Sequence, residues 1–243
     1  MSDTSGNFKM IRIILAGVLS LGVTSAAAAP ARIVVLAGGE AADAWRLCEI
    51  GSQRAQGLRY NYLGDKAAKS LFKTDEPPAY FFAITPHTVA VATPAAESWR
   101  KPIINYSVLP QDDEKKMAEA MNVRTRQAAG NILNNPALKG KTVVMVWDRR
   151  HIADRALGDK YQREAAVTLR QLLHLDILPG VPRNWPKDNH DYFWIIDFPE
   201  NSNVPLKFEM VKQEFGKSFP KVPANDWGEP AKLDPESGCL LDD

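Results

Sequence analysis

The sequence predicts an α/β fold, a three-layer α/β/α sandwich built on a central, mostly parallel sheet. Three observations predict it. Short apolar, β-branched runs with no helical period stand at "RIVVL" (32–36), "KTVVMVW" (141–147) and "YFWIIDF" (192–198). Segments with helical spacing alternate with them along the chain, and glycine- or proline-containing turns separate the two kinds. Strands alternating with helices stack as helices on both faces of one sheet. With no internal repeat, linker or shift in composition after residue 28, that part of the chain reads as one domain.

The first 28 residues read as an address. Lys9 and Arg12 precede an apolar run from Ile13 to Val23, which leads into the small residues Ser25–Ala29. This is the order of a secretory signal peptide, with a cut after Ala28 supported by Ala26 and Ala28. The run is short for a membrane span; an uncleaved anchor is the alternative, and Met10 competes with Met1 as the start. Expected domains are thus a signal peptide over 1–28, the folded domain over 29–220, and a C-terminal surface tail over 221–243. The expected location is outside the cytoplasm, in a bacterial periplasm or secreted, with no stable membrane span after cleavage.

Removing residues 1–28 takes away Lys9, Arg12 and Asp3, so the 30 basic and 29 acidic residues become 28 of each. A neutral chain has no bulk electrostatic reason to hold nucleic acid, which is not expected as a partner. Cys48 and Cys239 would both meet an oxidising compartment, where pairing is favoured chemically, but their spacing leaves open whether they come within reach.

Along the exported part, Arg32–Leu36 is a buried strand ending at Gly38-Gly39, and Leu47, Ile50, Ala55, Leu58 and Tyr62 recur at helical spacing. Ala79–Ile84 is a short strand, Ala90–Trp99 a short helix and Ile103–Val108 extended. Asp112–Asn134 opens with acidic residues and closes before Pro136, as the helix dipole and proline geometry favour. Lys141–Trp147 is the clearest strand. His151–Leu157 and Arg163–Leu173 read as helices, Pro179–Asn189 as a loop, Tyr192–Phe198 as a buried strand and Leu206–Phe215 as an edge strand. After Phe219 come four prolines and little apolar material, hence the tail.

Ligands in open α/β folds bind beyond the carboxyl ends of strands, which directs attention to two stretches. "AGGE" (37–40) could cradle an anion on backbone N–H groups, or be a plain turn. "WDRRHI" (147–152) gathers Asp148, Arg149, Arg150 and His151; it is either an anion site or a solvated helix start capped by Asp148. The four histidines, His87, His151, His174 and His190, show no metal-ligand spacing, so no metal is expected. No P-loop, dinucleotide fingerprint or G-x-S-x-G elbow occurs, and no cofactor is expected.

The order of these segments resembles the histidine phosphatase superfamily, the phosphoglycerate-mutase-like fold. "LCEIGSQRAQGL" (47–58) is similar to that family's L-T-x-x-G-x-x-R-A-x-x-L segment, through Leu47, Gly51, Arg54, Ala55 and Leu58. "TPHTVAVATPA" (85–95) resembles its S-P-x-x-R-A-x-x-T-A helix, and "VVMVWDRRHI" (143–152) its strand leading to a second histidine. The resemblance implies four pocket positions, and each carries another residue here. The first arginine falls on Ala37, the nucleophilic histidine on Gly38, the second arginine on Val89 and the second histidine on Arg149. The R-H-G motif is replaced by Ala37-Gly38-Gly39, which leaves no nucleophile for covalent phosphoryl transfer.

Three functions follow as expectations. The first is an exported, histidine-phosphatase-like protein without phosphoryl transfer, acting as a binding or interaction module for a small anion or a protein partner, with Gly38, Gly39, Arg149 and Arg150 as the anion site. The second is an altered phosphohydrolase in which His87 or His151 substitutes as acid, base or nucleophile. The third is a purely structural envelope protein.

Overall fold

The computed structural model describes residues 1, 29–72, 76–187, 189–229, 233 and 235–240. The signal-peptide reading, and with it the choice between Met1 and Met10, falls almost wholly outside the described residues. Among the described residues no helix is long and apolar enough to cross a membrane.

Six strands form one sheet: β1 (Arg32–Ala37), β2 (Phe81–Ala83), β3 (Ile103–Asn105), β4 (Thr142–Trp147), β5 (Tyr192–Asp197) and β6 (Lys207–Lys212), in the order β3-β2-β4-β1-β5-β6. The β1–β4, β2–β4 and β2–β3 pairs are parallel, while β1–β5 and β5–β6 are antiparallel. The sheet is therefore mixed. β1 and β4 are in register from Arg32 opposite Thr142 to Ala37 opposite Trp147, so both strands end at one edge. β5 runs the other way, and the residues just before it arrive at that same edge.

Side-chain alternation divides the core into two layers. Val34, Leu36, Val144, Val146, Phe193 and Ile195 face α1 (Glu49–Leu58) and α2 (Pro86–Ser98). Ile33, Val35, Val143, Met145, Trp194 and Ile196 face α3 (Glu114–Asn134), α4 (Arg149–Ile152) and α6 (Leu169–Leu172). Burying each such apolar side chain contributes on the order of 1.5–3 kcal/mol, and this double layer stabilises the sandwich.

Local chemistry moves several boundaries from those expected. α2 begins at Pro86 rather than Ala90, because Thr85 and Thr88 form a reciprocal cap and a proline in the first turn loses no hydrogen bond. The single helix expected over His151–Leu157 is two pieces, α4 and α5 (Arg155–Lys160), each opened by an aspartate, Asp148 and Asp154, that accepts a backbone N–H. The helix expected over Arg163–Leu173 shortens to α6, since Thr168 and Gln171 cap each other's ends there. α1 continues into one π-type turn, Arg59–Leu63.

The C-terminal segment is not simply a surface tail. Val222 and Asn225 are buried, Trp227 packs beside Trp185 and Tyr192, and Cys239 is bonded to Cys48 across a Cα–Cα distance of 5.2 Å.

Candidate functional site

A cleft of about 350 Å³ opens at the edge where β1, β2 and β4 end and the chain enters β5. Its lining includes Gly38 and Gly39 after β1, Thr85, His87 and Thr88 at the start of α2, Asp148 and Arg149 after β4, and His190 before β5.

The turn after β1 is fixed from below. The Gly38 amide donates to the Trp147 carbonyl at 3.1 Å, extending the β1–β4 ladder by one bond. Glu40 then turns inward and meets Arg54 of α1, whose side chain is only 1% exposed. Arg54 Nη2 and Nε donate to the Glu40 carboxylate at 2.6 and 3.0 Å, and Nη1 donates to Asp191 Oδ1 at 2.8 Å. Gln213 Oε1 and the His190 carbonyl accept from Nη1 as well. Asp191 Oδ2 takes two N–H groups from Asn225. A buried ion cluster is tolerable only when its members are hydrogen-bonded in this way.

The electrostatic consequence is a charge held in place. Burial pushes the Glu40 carboxyl up, but the neighbouring Arg54 charge and its hydrogen bonds prevail and hold it at about 2. Burial works against the Arg54 charge too, and Glu40 and Asp191 overcome it and raise its pKa. Glu40 is therefore committed to Arg54 and does not serve the cleft as a base.

The two cleft histidines are oriented by backbone carbonyls. His190 Nδ1 bonds the Gly38 carbonyl, and His87 Nε2 bonds the Asp43 carbonyl at 2.5 Å. A carbonyl only accepts, so each contacting nitrogen carries the proton. Burial lowers the His190 pKa, with Arg54 adding to that effect and Glu40 opposing it, so the ring is neutral at pH 7.

Of the residues singled out in the sequence, Ala37, Gly38, Gly39, Arg149 and His87 line the cleft. Val89 does not line it; it lies one turn into α2, and His87 stands at the cleft instead. Arg150 also stays away: its largely exposed side chain pairs with Asp154 at 3.5 Å. His151 is buried on the other side of Asp148, with Nδ1 2.7 Å from Asp148 Oδ1 and Nε2 3.1 Å from Asn122 Oδ1. It does not line the cleft, and both its ring nitrogens are engaged. Partial burial raises the Asp148 carboxyl, and His151 and Arg149 more than offset this, leaving it below the usual range.

Sequence pattern assigns no role to Glu40, Asp191 or His190, and gives Arg54 only a place in the scaffold. His190 was hidden by strand direction: in a mostly parallel sheet the residue before a strand sits at the far edge, and the antiparallel β5 brings it to this one. Its signal was the polar "DNHD" at 188–191 directly before an apolar run.

No protein-family model matches the chain, and no curated protein matches it. Among solved structures, the chain is similar to the putative phosphohistidine phosphatase SixA from Agrobacterium tumefaciens, at 16% identity and a TM-score of 0.38, over 76% of this chain and 99% of that one.

Proposed function

We propose that the protein is an exported, histidine-phosphatase-like binding module whose cleft holds a small anion without covalent phosphoryl transfer. The observation that carries this reading is the composition of the cleft wall. The turn of Ala37, Gly38 and Gly39 supplies no side-chain nucleophile, while Arg149 lines the same cleft and supplies positive charge. The segment order of the sequence places the family's nucleophile at Gly38 and its second histidine at Arg149. A guanidinium binds an anion well and cannot serve as a general acid at neutral pH.

The test is paired. Calorimetric titration of the full chain with inorganic phosphate should show binding that Arg149→Ala removes, and p-nitrophenyl phosphate should be hydrolysed no faster than in a mock preparation. Hydrolysis well above that background, lost on Arg149→Ala, would overturn the reading.

An altered phosphohydrolase is the second reading, and the placement of His87 in the cleft favours it. His151, engaged at both ring nitrogens away from the cleft, contributes nothing to it. Activity that disappears in His87→Ala would select this reading over the first. A purely structural role predicts neither binding nor hydrolysis.

A further inference from the structure

The cleft presents lone pairs where a simple anion would want donors. His190 spends its Nδ1–H on the Gly38 carbonyl, and His87 spends its Nε2–H on the Asp43 carbonyl. In the neutral His190 ring the other nitrogen, Nε2, is then an acceptor, and the His87 tautomer that donates from Nε2 leaves Nδ1 as its acceptor. Neither has a hydrogen-bond partner among the described residues. The two rings line one cleft with Arg149 and with the carboxylate of Asp148.

Such a site is poorly matched to an anion that offers only acceptor oxygens. Lone pair would face lone pair at both imidazoles, and each acceptor would be desolvated with nothing to receive. An anion that also carries O–H groups satisfies both requirements: its charged oxygens go to Arg149 and its protonated oxygen donates to an imidazole nitrogen. Resting on the anion-binding reading above, we propose that the cleft selects protonated oxyanions, the class of hydrogen phosphate and phosphomonoester monoanions, over sulfate, with His190 and His87 as the specificity-determining residues.

The low basicity of His190 supports this from a separate direction. Burial and the adjacent Arg54 disfavour the imidazolium, although the Glu40 and Asp191 carboxylates lie on the same side and favour it. A neutral ring keeps its acceptor at neutral pH. Sites built to receive a ligand's O–H discriminate strongly against analogues that lack it, because their own polar groups are left unpaired.

The experiment is calorimetric titration of the full chain with sodium phosphate and with sodium sulfate, at neutral pH and matched ionic strength. Phosphate should bind about tenfold or more tightly than sulfate, the discrimination expected of one imidazole acceptor that loses its water to the ligand and is left unpaired. His190→Asn keeps an N–H near the Gly38 carbonyl and removes the Nε2 acceptor. It should bring the ratio towards one by weakening phosphate while leaving sulfate nearly unchanged. His87→Gln makes the same substitution of an amide N–H at the Asp43 carbonyl and gives the same test should His190→Asn fail to fold. Equal binding of both anions by the wild type, or a ratio unmoved in a folded variant, overturns the specificity and leaves anion binding standing. Absence of binding by both anions overturns the anion-binding reading itself.

Discussion

Gly51 lies against the backbone of Glu40, so closely that a Cβ at position 51 would sit 2.1 Å from the Glu40 carbonyl oxygen. The same carbonyl accepts the Cys48 amide at 3.0 Å. The start of α1 and the turn after β1 are thus fitted to each other through backbone, and no flexible side chain can yield. Gly51→Ala should cost about 1–3 kcal/mol as an overpacked contact, and should weaken phosphate binding because Gly38 and Gly39 sit on the displaced turn. Urea unfolding and phosphate titration measure the two effects.

Gly38 contrasts with it. A Cβ there meets only the Thr88 methyl, at an ordinary 3.5 Å, and its φ is not positive. Sterics do not impose glycine at the position where the family resemblance expects a histidine. Gly38→Ala should therefore change stability by less than about 1 kcal/mol, as for compatible glycine replacements. The expected result is an unchanged urea midpoint in Gly38→Ala beside a lowered one in Gly51→Ala.

Acid should loosen this edge of the sheet in two stages. Glu40 is held at about 2 when folded, against an ordinary 4.5, and His190 is held below its ordinary 6.5. In both cases the unfolded chain binds protons more readily, so each contribution is present above the unfolded pKa and is lost as pH falls. Stability should begin to fall below about pH 6.5 through His190. It should fall further from about 4.5 down to 2 through Glu40. Glu40→Gln should flatten the lower stage in a series of melting curves. Removing the cation instead, in Arg54→Ala, leaves two buried carboxylates unpaired and should cost about 3–5 kcal/mol at neutral pH.

The layered fold was legible because it follows from periodicity. The runs at 32–36, 141–147 and 192–198 hold unbroken apolar stretches, Ile33–Leu36, Val143–Trp147 and Tyr192–Ile196, as central strands covered on both faces must, and all three are strands. Gly38, Gly39 and Arg149 could be placed together because parallel strands deliver their carboxyl ends to one edge. Three things were not legible. Strand direction is not written in strand composition, so the antiparallel course of β5 and the placement of His190 emerge only from the fold. Side-chain caps at Asp154 and Thr168 cut helices that hydrophobic spacing alone would continue. The pairing of Arg54 with Glu40 and Asp191 joins residues 14 and 137 positions apart, and only tertiary packing brings a lone arginine in an amphipathic helix to its partners.

The Cys48–Cys239 bond closes a separation of 191 residues and lands beside the cleft. Cys48 stands at the start of α1, directly after the turn that forms the cleft wall. On the other side of the bond, the Leu240 amide donates to the Ala41 carbonyl at 2.7 Å, and Leu233 and Leu240 contribute to the lining. The disulfide therefore straps the C-terminal segment across the rim of the cleft as well as restricting the unfolded chain. Cys239→Ser should cost about 2–5 kcal/mol through the second effect. Its consequence for binding should be separable and opposite in sign. With the strap released, phosphate enters a wider mouth, and its association rate in stopped-flow titration should rise even as the urea midpoint falls. A variant that loses stability and also binds phosphate more slowly would show that the strap shapes the cleft instead of covering it.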